Sequence, residues 1–122
     1  MKRNECQDLF LRGYLDAALF TTDPEPGAGD YVGSGRADEM FLKLPASFVE
    51  RAKIDCFRFQ ADNAELLKRA GNDEQNGTNF WYTRNGHGVG FWDMDYDDDV
   101  SDTLTESARA FGESYLMAEA LV

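Results

Sequence analysis

Between Pro45 and Gly71, apolar side chains recur at Phe48, Ala52, Cys56, Phe59, Leu66, Leu67 and Ala70, with Asn63 in the same register. Spacings of three and four are the helical period, so this stretch predicts one long amphipathic helix. Pro45 suits its first turn, where a missing N–H costs least, although Ser47 is an alternative N-cap. Gly71 suits the C-terminal cap, and Lys68 and Arg69 complement the helix dipole in the last turn. A helix of this length with one apolar face must be covered by other elements, and the rest of the chain is read for them.

Residues 5–21 repeat the pattern through Leu9, Phe10, Tyr14, Ala17 and Ala18, so they predict a second helix with a broad apolar face. Gly13 weakens that helix by about 1 kcal/mol relative to alanine, and admits a close neighbour. Thr22-Asp23-Pro24-Glu25-Pro26-Gly27 stops it, and residues 22–39 read as a flexible loop. Asn72 to Thr78 reads as a linker. Phe80-Trp81-Tyr82-Thr83 and Val89-Gly90-Phe91-Trp92 are β-prone runs on either side of Arg84-Asn85-Gly86-His87-Gly88, and Asn-Gly is a strong turn signal, so a β-hairpin is expected. Thr103-Leu104-Thr105-Glu106 has the form of a capping box and places a last helix after the acidic run, ending at Gly112. Ser114 to Met117 is read as a third strand added to the hairpin sheet, with a continued helix through Ala118 to Leu121 as the alternative. The fold class expected is α+β: two N-terminal helices packed on a small antiparallel sheet, with a C-terminal helix, in a single domain spanning 1–122.

At 122 residues with 43% hydrophobic content, the chain can bury a core without disulfides or metals. Cys6 and Cys56 lie in stretches that read as helix and lack metal-ligand spacing, so reduced thiols and a cytoplasmic setting are expected. No apolar run has the length of a membrane span, and Met1-Lys2-Arg3 leads into polar residues. Net charge is −11; residues 93–122 hold nine acids against Arg109 alone, a local −8. Such a field repels nucleic acid and anionic membranes and attracts basic protein surfaces.

Few residues suggest chemistry. His87 between glycines could act as an acid or base, and a small enzyme centred on Arg84, His87 and Asp93 is one reading. No nucleophile motif accompanies them, and a turn histidine bonded to loop backbone explains His87 equally well. Asp95, Asp97, Asp99 and Glu106 occupy positions one, three, five and twelve of a calcium-loop pattern, but Val100 stands where that loop needs glycine. GAGDYVGSGR lacks the lysine and the Ser/Thr of a phosphate loop. No cofactor is expected.

The run FWYTRNGHGVGFWD, followed by LTESARAFGE, resembles a family of small bacteriophage accessory proteins with an FWxTRNGHGxGFWD signature. The likeness reaches back through YLDAALFT and DCFRFQADNAELL and departs in the Gly-rich loop and after Glu113, where the family carries a short strand. It implies a small protein made in the cytoplasm of an infected bacterium. Joined to the acidic run, it suggests a non-enzymatic, anti-CRISPR-like inhibitor that mimics DNA in the basic groove of a host defence complex. Asp93, Asp95, Asp97, Asp98, Asp99 and Asp102 would supply the charge, and Trp81, Tyr82 and Trp92 the aromatic anchors. A calcium-binding or general host-interaction module is the other non-enzymatic expectation.

Overall fold

The computed structural model describes residues 2–22 and 36–121. They form six α-helices: α1 (Leu9–Thr22), α2 (Arg36–Phe41), α3 (Ala46–Asp62), α4 (Ala64–Ala70), α5 (Asp73–Arg84) and α6 (Asp98–Ala110). Short 3-10 turns lie at Arg3–Glu5, Phe91–Asp93 and Ala118–Leu121. No strand occurs among the described residues, so the expected α+β fold, its hairpin and its third strand are all overturned. Residues 23–35 of the expected loop, including the Gly-rich stretch, lie outside the described residues; its last part is helical, within α2.

The hairpin fails for a physical reason. Asn72 caps α5, its side chain accepting a hydrogen bond from Gln75 N at 3.2 Å, and Asp73 and Glu74 sit in the first turn where the helix dipole favours them. What looked like a linker is thus a helix start. The β-preference of Phe80 to Thr83 is overridden by burial, because a helix from Asp73 puts Gly77, Phe80, Trp81 and Arg84 on one inward face. Asn85-Gly86 then ends the helix, with Gly86 at φ +70°. A left-handed glycine serves a helix C-terminus as well as a hairpin turn, so the dipeptide marks a chain reversal without choosing between them.

The principal contact of the fold is α1 on α5, and glycines make it close. A Cβ on Gly13 would overlap the Glu74 carbonyl, and one on Gly77 would overlap the Phe10 carbonyl. The close approach expected at Gly13 is therefore present, with Gly77 as its counterpart. Thr78 Oγ1 donates to Gly13 O at 3.1 Å, and Arg12 Nη2 lies 2.6 Å from Glu74 Oε1 across the same crossing.

Helices α2 and α3 flank α1, while α6 packs on α5 and α4. The long helix expected over 45–71 breaks at Asn63, whose buried side chain donates to Phe59 O at 3.0 Å and to Ser107 Oγ at 2.8 Å. An asparagine that bonds backbone and a neighbouring helix competes with helix continuation, and α4 begins separately at Ala64. The core is aromatic: Phe59 stacks on Phe80 with centroids 4.2 Å apart, and Phe10, Phe91 and Phe111 surround that pair. Residues 113–117 run without helix or strand, burying Leu116 between exposed Tyr115 and Met117. With no sheet among the described residues, the expected strand finds no partner there.

Candidate functional site

Arg84 is only 5% exposed, and every part of its guanidinium is engaged. Nη1 donates to Asp55 Oδ2 at 2.8 Å and meets the Tyr14 hydroxyl at 3.0 Å; Nε donates to Gly112 O at 2.8 Å, and Nη2 to Phe111 O at 3.3 Å. The guanidinium also lies over the Phe80 and Phe111 rings. One side chain of α5 thereby ties α1, α3 and the end of α6 together. A buried ion pair of this kind offsets its desolvation only through such additional bonds. Burial pushes the Tyr14 hydroxyl up to about 12 despite the opposing pull of Arg84, and burial also raises the Cys56 thiol.

Residues 85–93 fold back onto α5. Asn85 Oδ1 accepts from Ser114 N at 2.8 Å, fixing the C-terminal segment. His87 N donates to Tyr82 O at 3.0 Å, and the His87 ring meets Tyr82 edge-on. Thr83 Oγ1 accepts from Phe91 N at 3.3 Å, Asp93 Oδ2 accepts from Gly90 N at 2.9 Å, and Ser101 Oγ donates to Phe91 O at 3.2 Å. A Cβ at Gly90 would strike Thr83 Oγ1 and the Trp92 ring. The proposed catalytic group is thus dispersed in its tasks: Arg84 is sealed in the core, Asp93 holds a backbone N–H, and His87 stands half-buried at a groove.

The aromatic candidates separate in the same way. Trp81 is buried, its Nε1 donating to Thr21 Oγ1 at 3.0 Å and its ring set edge-on to Tyr14 and Phe48. Tyr82 is half-buried beside His87. Trp92 alone remains substantially exposed, with the Arg109 guanidinium 5.5 Å from its ring centroid.

The acidic run begins α6. Asp97 is at the N-cap position and Asp98 and Asp99 are in the first turn, where carboxylates favour the helix N-terminus. The helix therefore starts earlier than the Thr103 box suggested, and Thr103 lies within it. Arg69 at the end of α4 reaches both Asp97 (3.2 Å) and Asp99 (3.4 Å). Asp98, Asp102 and Glu106 follow one another at four-residue spacing and are exposed, so they form one stripe along α6. They and Asp95 make no ion pair among the described residues. Because residues 98–110 are helical, the twelve-residue calcium loop from Asp95 to Glu106 does not form, and no group of three metal-ligating side chains gathers among the described residues.

A groove of about 220 Å³ lies between the α5 terminus and residues 113–116, bordered by Thr22, Trp81, His87, Glu113, Tyr115 and Leu116. Tyr115 donates its hydroxyl to Glu113, and that hydrogen bond raises its pKa. Sequence reasoning missed this groove, the Asp55 and Tyr14 partners of Arg84, and the Arg69 clamp. Asp55 carried a legible signal, since it sits three residues after Ala52 and four before Phe59, on the apolar stripe of α3. No protein-family model, curated protein or solved structure matches the chain. No helix among the described residues is long and apolar enough to cross a membrane.

Proposed function

We propose that the protein is a non-enzymatic binder that sets the α6 carboxylates against a basic, nucleic-acid-binding protein surface, as a phage-encoded, anti-CRISPR-like inhibitor of a host defence complex would. The observation that carries this reading is the stripe of Asp98, Asp102 and Glu106, exposed and free of ion pairs among the described residues, beside Asp95. Eight residues of helix span about 12 Å, so the stripe presents a short row of fixed negative charge. Trp92, exposed near the start of α6, is the aromatic that remains available as an anchor, whereas Trp81 is committed to the core. A charged row of this kind chiefly governs encounter rate and partner choice, and an aromatic anchor adds affinity. The enzymatic reading is weaker because Arg84 and Asp93 are already occupied in holding backbone and core.

Affinity purification of the tagged protein from a bacterial lysate, followed by mass spectrometry, tests the proposal. Wild type should recover a basic nucleic-acid-binding protein that the D95N/D98N/D102N variant does not. Recovery of the same proteins by both would count against the acidic stripe.

A further inference from the structure

The groove beside Glu113 has a chemistry of its own. Its border carries a carboxylate, a histidine, a tyrosine ring and the edge of a buried tryptophan, and among the described residues it includes no lysine or arginine. Glu113 is exposed; one of its oxygens receives the Tyr115 hydroxyl, and the other has no partner among the described residues. Tyr115 is 73% exposed, so a ring face is open to a ligand. Arg51, on the border of the adjoining hollow, pairs with Asp55 at 3.3 Å, and Glu113 makes no ion pair among the described residues. The groove is firmly built, because Asn85 Oδ1 fixes the Ser114 backbone and Thr21 Oγ1 fixes the Trp81 indole.

We infer that this groove is a second contact site, separate from the α6 stripe, and that it receives a cationic side chain, a guanidinium or an ammonium, from the basic partner. A free carboxylate oxygen supplies the charge-assisted acceptor, and the Tyr115 ring supplies a cation–π face. The overall charge of −11 favours the same class of ligand. The assignment rests on the proposed basic partner and adds where one of its side chains lodges.

An octa-arginine peptide is a suitable probe, followed by NMR of the whole protein. The single histidine and the two tryptophans give separable signals: His87 and Trp81 report the groove, while Trp92 reports the region beside α6. The His87 ring and Trp81 indole signals should move saturably in wild type and also in D95N/D98N/D102N. In the E113Q/Y115L variant, whose two sites are exposed and whose helicity should be unchanged, the groove signals should titrate about tenfold more weakly, from an exposed charge pair and an exposed cation–π contact together. Movement of Trp92 alone, or an unchanged groove titration in E113Q/Y115L, overturns the groove. Groove signals that respond as expected while D95N/D98N/D102N binds like wild type at every salt concentration would uphold the groove and overturn the stripe.

Discussion

Arg84 determines how much of the aromatic signature can face solvent, because its guanidinium fixes α5 against Asp55, Tyr14 and the end of α6. Removing it leaves a buried carboxylate at Asp55, whose only other charged partner among the described residues is the largely exposed Arg51. Arg84→Ala should therefore destabilise the protein by about 3–5 kcal/mol, read as a lower midpoint in urea unfolding, and an unchanged midpoint would refute the lock. Tyr14 gives a second test. Its hydroxyl stays protonated in the fold up to about 12, whereas an unfolded tyrosine ionises near its ordinary value of 10. Between those values the folded state holds the extra proton, so stability is full below pH 10 and falls as pH rises toward 12, by roughly 2–3 kcal/mol. Tyr14→Phe should lose much of that alkaline slope in urea midpoints measured across pH. These partnerships were hidden in the sequence because arginine and aspartate normally stay at the surface. Asp55 on an apolar stripe was the one visible sign.

Among the elements, the α1–α5 crossing depends on absent side chains. Gly77→Ala gains roughly 1 kcal/mol in helix propensity but drives a methyl group into the Phe10 carbonyl, and the backbone cannot yield as a flexible side chain would. A net loss of about 2 kcal/mol or more is expected in thermal unfolding, and a stabilised variant would disprove the close crossing. Helices α1, α3 and α4 were legible because their apolar residues recur at the helical period. Helix α5 was not: its inward face includes a glycine and an arginine, so periodicity counted on apolar residues alone could not find it. The Asn85-Gly86 signal was real, but it records a left-handed residue and not the element before it. The acidic run was misplaced for a related reason, since carboxylates that resemble a loop also suit the first turn of a helix.

For the whole molecule, the aromatic run and the acidic run occupy different environments. Residues 79–93 mostly build the fold through Phe80, Trp81, Arg84, Phe91 and the backbone-holding side chains of Thr83, Asn85 and Asp93. The exposed carboxylates without ion pairs among the described residues include Asp95, just before α6, and Asp98, Asp102 and Glu106 along it, and the charge distribution along the sequence locates this run. Composition could not separate Asp97 and Asp99, which are shared with Arg69, from Asp95, Asp98 and Asp102, which are not. That separation makes the central claim testable with the basic protein recovered by affinity purification. Its dissociation constant should be measured against salt concentration for wild type and D95N/D98N/D102N. Wild-type affinity should fall steeply with salt, while the variant should bind more weakly at low salt, show a flatter dependence and converge with wild type at high salt. Superimposable curves would contradict the assignment of binding to the α6 carboxylates.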